Sequence, residues 1–337
     1  MRICKVGGQA VMEGVMMKSE KGIAMAVRTN DGKIVTEYTE CTSKAKKGTF
    51  LGLPIVRGVV AFIESLTNGM KMMTRSAELY GEEPEQYEPS KFEKFLSKLF
   101  GKSVEKVVVG LAVVLAIVMS VGLFFVLPLV IGNLIYGGSA NRDIWRSLIE
   151  GGVRLLIFLG YILMCAGIKD IKRVFMYHGA EHKTIACYEA EDELTPQNAM
   201  KYKRLHPRCG TNYLFLVMAV SILFFTTIDF IIPLHLEGFL GFLFRLATRL
   251  VFLPLVAGIS YEVLQAAAKS NNLLARIVRA PGMGLQLITT KEPTEEMIEV
   301  AIASFNLAMK DMGENVLSCS SCAETKCEAA PEKTAVK

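Results

Sequence analysis

The chain is predicted to be a mainly α membrane protein, with about four transmembrane helices and a small N-terminal β-rich cytoplasmic unit. Three observations lead there. Val107 to Tyr136 runs without one charged side chain, and about 20 such residues already cross a bilayer. Hydrophobic residues make up 51% of the 337 and charged residues 21%, and the apolar ones come in long blocks, which excludes collagen-like, coiled-coil and disordered chains. Basic residues cluster beside those blocks, as membrane topology requires, so the formal charge of +5 is not read as a nucleic-acid footprint.

Residues 1–50 read as the β-rich unit. Ile23 to Arg28 and Lys33 to Tyr38 flank Thr29-Asn30-Asp31-Gly32, and Asp-Gly between two β-capable runs signals a hairpin because both residues tolerate positive φ. Before them, the run Gly7 to Met17 reads as a glycine-punctuated turn system. It has neither the lysine of a P-loop nor the spacing of a dinucleotide fingerprint. Within it Glu13 reaches a metal site only if this unit folds back, and a packing or turn role is preferred. Residues 51–106 hold amphipathic helices and a linker. Val59, Phe62, Ile63, Leu66, Met70 and Met73 keep helical spacing up to about Leu79. Gly81 to Pro89 is an acidic linker, and Lys91 to Phe100 is basic and suits the headgroup region.

The bundle is expected over 107–261, with spans at roughly 107–131, Leu148 to Ile168, Tyr213 to Ile232 and Phe239 to Tyr261. The N-terminus lacks the apolar core of a cleavable signal, so insertion is expected to use these internal spans. The 169–212 loop carries eight Lys and Arg residues, Lys169 to Arg208, whereas Pro233 to Gly241 carries none. Positive residues favour the cytoplasm, so this loop and both termini are expected on the cytoplasmic side of the membrane. That setting disfavours a disulfide framework among the eight cysteines. Residues 262–312 form a cytoplasmic helical region, where Thr294 caps a helix whose stripe is Ile298, Ala301, Ile302, Phe305, Met309 and Met312. Residues 313–337 read as a disordered tail, and Cys319, Cys322 and Cys327 in it as incidental.

The densest chemistry lies in the 169–212 loop. His178 and His182 are four apart and share a helix face, with Glu181 between them. This His-x-x-Glu-His order is that of the inverted zinc peptidases, in which the histidines hold the metal and the carboxylate activates water. Three of the four histidines fall in this loop; the third, His206, opens His206-Pro-Arg-Cys209-Gly. The expected ligands of a divalent metal, with zinc the ion foreseen, are therefore His178, His182 and either His206 or Cys209, with Glu181 as general base. Glu189 is a further available carboxylate, and Arg208 or Lys183 would stabilise developing negative charge. The plainer reading is that the two histidines only bond headgroups or backbone carbonyls.

A second polar group lies inside the spans. Glu150 and Arg154 are four apart in the second, Asp229 ends the third, and Arg245 and Arg249 are four apart in the fourth. An ionised side chain there should face a partner or water. A locking ion network or snorkelling arginines is the preferred reading; the other is an anion site, since one positive charge remains after pairing.

At these motifs the chain resembles the YqhQ-like family of bacterial membrane proteins, domain of unknown function 1385. The resemblance rests on Gly7-Gly-Gln-Ala-Val-Met-Glu-Gly-Val-Met-Met17, Tyr177-His-Gly-Ala-Glu-His-Lys183, Leu205-His-Pro-Arg-Cys-Gly-Thr211 and Gly258-Ile-Ser-Tyr-Glu262. Gly284 to Pro293 joins them, without the family's usual aromatic nearby. The family is sometimes labelled a predicted metal-dependent enzyme, which implies the metal reading and no substrate. The function expected is thus a metal-dependent membrane hydrolase at the cytoplasmic face, partnered by the bilayer and acting on an anionic lipid or a membrane protein. Its rivals are a non-catalytic scaffold or assembly factor, and a transporter or lipid-handling protein using the arginine cluster.

Overall fold

The computed structural model describes residues 4, 6–46, 48–81, 104–136, 144–231, 238–270 and 272–311. Most of the acidic linker, the basic 91–100 segment, Met312 and the tail with Cys319, Cys322 and Cys327 lie outside the described residues. The chain opens with strands β1 (Gly7–Val11), β2 (Gly14–Lys18), β3 (Gly22–Arg28) and β4 (Ile34–Glu40), followed by helix α1 (Val56–Tyr80). Then come α2 (Val104–Val121), a π-helical turn (Gly122–Val126), α3 (Leu127–Tyr136) and α4 (Ile144–Ala166). Next are α5 (Lys169–Glu189), the short α6 (Pro196–Met200) and α7 (Thr211–Ile231). Last are α8 (Gly238–Val251), α9 (Leu253–Lys269), α10 (Leu273–Thr289) and α11 (Glu295–Asp311).

Three stretches are long and apolar enough to cross a membrane: Gly110–Ile135, Trp145–Ala166 and Thr211–Ile231. The pair α8 and α9 makes a fourth if it is one span, bent by 41° at Phe252. The expected mainly α membrane fold with an N-terminal sheet is therefore what forms.

Chain contacts divide the molecule into two units. The first comprises Met1–Glu82, Ile162–Val217 and Pro254–Lys337, and the second Glu83–Tyr161 and Met218–Leu253. The first unit is built on the sheet, antiparallel throughout in the order β1-β2-β3-β4. The Asp-Gly hairpin forms as expected: Gly32 takes φ +77° and Thr29 N–H donates to the Lys33 carbonyl at 2.9 Å. The Gly7 to Met17 run differs from expectation, because it is a second hairpin, with Val11 opposite Gly14. Two of its glycines, Gly8 and Gly14, answer close packing in strands: a Cβ on Gly14 would run into the Ala26 carbonyl of β3.

Both faces of the sheet are covered. Ala10, Val15, Met17, Ala24 and Ala26 face α5 and α11, which supply Tyr177, Ala180, Ile298, Ile302 and Phe305. Val11, Met16, Ile23, Met25 and Val27 face Met72 of α1. The stripe read for α11 is the buried one, and Thr294 Oγ accepts the Met297 N–H at 3.4 Å as an N-cap bond. At the start of α1, Gly58 meets Gly258 of α9, and Arg57 pairs with Glu262 at 2.5 Å. Ile55 there takes φ +70°, a strained value for a β-branched residue.

Candidate metal centre

The His-x-x-Glu-His run lies on α5, a helix buried on nearly all sides from Tyr177 to Glu189. The first unit supplies all of the site. Among its residues, His178, His182 and Cys209 each offer one donor atom, and these three atoms lie within 4.8 Å of one another. The two imidazole centroids are 4.4 Å apart.

What holds each ring settles which nitrogen faces the group. His178 Nδ1 lies 2.9 Å from the Thr289 carbonyl and His182 Nδ1 2.5 Å from the Arg204 carbonyl. A carbonyl only accepts, so both Nδ1 atoms carry the proton and both Nε2 atoms present a lone pair. A ring whose far N–H is fixed on a backbone carbonyl is the arrangement that orients metal-ligating histidines. The Cys209 thiol donates to His178 Nε2 at 3.2 Å, and its sulfur accepts from Thr211 N–H at 3.5 Å and Thr211 Oγ at 3.3 Å. Those two donors favour negative charge on the sulfur.

Among the buried side-chain atoms without a hydrogen-bond partner within the described residues, two belong to this site: His182 Nε2 and Glu181 Oε2. Native interiors rarely leave such groups unmatched. Glu181 Oε1 accepts the Gly8 N–H of β1 at 3.1 Å, which leaves Oε2 as the free oxygen, 3.9 Å from His178 Nε2. Gly8 is required there, because a Cβ would sit 2.6 Å from Glu181 Cγ. Burial pushes the Glu181 carboxyl above its ordinary range, opposed by His178 and the Gly8 N–H. Burial holds His182 well below the usual imidazole value, so it is neutral with its lone pair free. Burial, with the nearby Glu181 charge, pushes the Cys209 thiol up to about 12. Two imidazole nitrogens and a sulfur suit zinc and leave a fourth position open, as catalytic rather than structural sites do.

The other expected residues are placed elsewhere. His206 is not among the three donors. Its Nε2 lies 3.4 Å from Glu189 Oε2, its centroid is 5.7 Å from that of His182, and burial lowers its pKa to about 4. Glu189 is occupied by the Cys4 N–H, His206 and Arg208. Lys183 bonds the Met200 carbonyl and Glu292, so neither it nor Arg208 is free for an oxyanion. Glu13 packs, as preferred: at φ +48° its carboxylate accepts from Arg173 and the Tyr177 hydroxyl. Gln286 has no counterpart in the sequence reading. Fully buried on α10, it accepts from His206 N–H and donates to the His206 carbonyl, both at 2.9 Å, pinning the loop that carries Cys209.

The intramembrane charges meet within the second unit. Arg249, 1% exposed, donates to both oxygens of Asp229 at 3.0 and 2.5 Å and to Glu150 at 3.3 Å, beneath the Phe225 ring. Arg245 lies 3.7 Å from Glu150, and Ser147 donates to Asp229 at 2.8 Å. Arg249 is thus a network member rather than a snorkelling side chain.

The profile of the family described as "protein of unknown function (DUF1385)" matches residues 53–311. The chain belongs to this family. The Bacillus subtilis (strain 168) member printed as "uncharacterized protein YqhQ" is 35% identical over 306 residues, 89% of this chain and 91% of that one. No solved structure matches. All three donors and Glu181 fall inside the DUF1385 match, whereas Gly8 falls before it.

Proposed function

We propose that this DUF1385 protein is a metal-dependent membrane hydrolase, in which His178, His182 and Cys209 hold a zinc ion and Glu181 is the general base. The observation that carries the reading is the convergence of three donor atoms beside a buried carboxylate oxygen and an imidazole nitrogen that lack partners among the described residues. A divalent ion at such a centre supplies a Lewis acid that polarises the bond to be cleaved and acidifies water.

The chain's own residues do the rest. Thr289 and Arg204 hold the imidazoles in the ligating tautomer. Glu181 takes the proton of the attacking water on Oε2 while the Gly8 N–H keeps Oε1 in place. Its burial raises its proton affinity, which suits a group that must both accept a proton and return it to the leaving group. The charge bias of the connecting segments supports a cytoplasmic location for this centre and for both termini. A substrate delivered from the bilayer, an anionic lipid or a segment of a membrane protein, fits that location.

The test pairs metal content with a substrate-blind assay. Detergent-purified full chain should contain one zinc per molecule, His178→Ala should lose it, and Glu181→Gln should keep it. Bacterial membrane extract incubated with zinc-loaded protein in H2-18O should yield labelled products. Glu181→Gln should lower their formation about 10²–10⁴-fold, the usual worth of a general base. Wild type without stoichiometric metal, or label incorporation unchanged in Glu181→Gln, would overturn the proposal.

A further inference from the structure

Among the described residues of the second unit, one buried guanidinium has no carboxylate partner. Arg146, near the start of α4, pairs with Glu150 at 3.2 Å. Deeper in, Arg245 and Arg249 share the carboxylates of Glu150 and Asp229 with it, three guanidiniums to two carboxylates. Arg249 engages both and Arg245 approaches Glu150. Arg154, 8% exposed, has no carboxylate within ion-pair distance among the described residues: its Nε donates to the Phe124 carbonyl at 2.9 Å and its guanidinium lies 5.2 Å from the Phe125 ring centre. It stands ten residues into α4, about 15 Å along the axis, which is half the depth of a hydrocarbon core of about 30 Å.

The Phe124 contact has a cause in the backbone. Residue 128 is proline and has no N–H, so the carbonyl four residues before it loses its helical donor. The stretch Gly122–Val126 is wound as a π turn, and the Arg154 Nε fills the gap. A neutral amide would serve that carbonyl equally well. The contact uses one of five N–H donors and leaves the positive charge without a carboxylate among the described residues, a state that intramembrane arginines avoid.

We propose that Arg154 binds a phosphate-class anion within the second unit. A guanidinium matches phosphate through paired N–H donors, and the one charge on Arg154 matches one phosphodiester or phosphate monoanion. The source is either a lipid headgroup or free phosphate, and the chemistry is the same. A π turn at this position is consistent with a ligand site, since such turns concentrate where helices carry function.

The test uses detergent-purified full chain and three probes: inorganic phosphate, dioctanoyl phosphatidylglycerol and dioctanoyl phosphatidylcholine. Wild type should bind phosphatidylglycerol at least tenfold more tightly than phosphatidylcholine. Competition by inorganic phosphate identifies free phosphate as a ligand, and its failure to compete identifies the headgroup. Arg154→Gln keeps a donor for the Phe124 carbonyl and removes the charge, so it should bind at least tenfold more weakly with an unchanged thermal midpoint. Arg154→Lys, which keeps the charge, should lie between. Should Arg154→Gln lower the midpoint, the wild-type preference and Arg154→Lys decide. Equal binding of the two lipids with no phosphate binding, or wild-type affinity in Arg154→Gln, overturns the proposal.

Discussion

A histidine becomes a ligand through the bond made by its other nitrogen. Spacing by four puts the rings of residues 178 and 182 on one face, but it is the Thr289 and Arg204 carbonyls that turn both lone pairs toward Cys209. The sulfur is the pH-sensitive member of the set. In the metal-free protein its thiol sits at about 12, far above any working pH, so the proton must leave when metal enters. His182, held low by burial, releases none. Uptake should therefore free one proton, and the apparent Kd for zinc should fall about tenfold per pH unit between roughly pH 7.5 and 9. Competition against a chelator of known pH dependence checks this. The sign follows from the thiol: a set in which sulfur took no part would show a flat profile.

The elements around the centre decide how firmly it is held. Gln286 of α10 satisfies both backbone groups of His206, and so fixes the turn that brings Cys209 to α5. Gln286→Ala touches no ligand, yet it should weaken zinc binding about 10–100-fold, the usual cost of losing an outer support; titration of the purified variant measures it. Gly179 lets α5 approach the backbone at Lys291, whose carbonyl would collide with a Cβ. Gly179→Ala should destabilise the first unit by about 1–3 kcal/mol, read from denaturant midpoints. Both contacts join segments about 80 and 110 residues apart, and neither leaves a local pattern. The Asp-Gly hairpin and the α11 stripe were legible because turn chemistry and helical period act within a few residues. The β1–β2 hairpin was not, because Gly8 and Gly14 mimic turn residues while serving tight packing against Glu181 and Ala26.

At the scale of the whole molecule, membrane character is the most legible property, since bilayer thickness imposes long uncharged runs that no soluble fold needs. The first unit is less so. It gathers three separate stretches of chain around one sheet, an interleaving that a reading by consecutive segments does not reach. The candidate centre depends on it: Gly8, the donors of residues 178–209 and Thr289 come from all three stretches. His206, as attractive in sequence as Cys209, falls outside the donor group because Gln286 and Glu189 hold it in a neighbouring network. X-ray absorption at the zinc edge on loaded, purified full chain tests the central claim most directly. Two nitrogen scatterers at about 2.0–2.1 Å and one sulfur at about 2.3 Å are predicted, with the sulfur shell lost in Cys209→Ser. A wild-type spectrum without sulfur, or one that Cys209→Ser leaves unchanged, would contradict it.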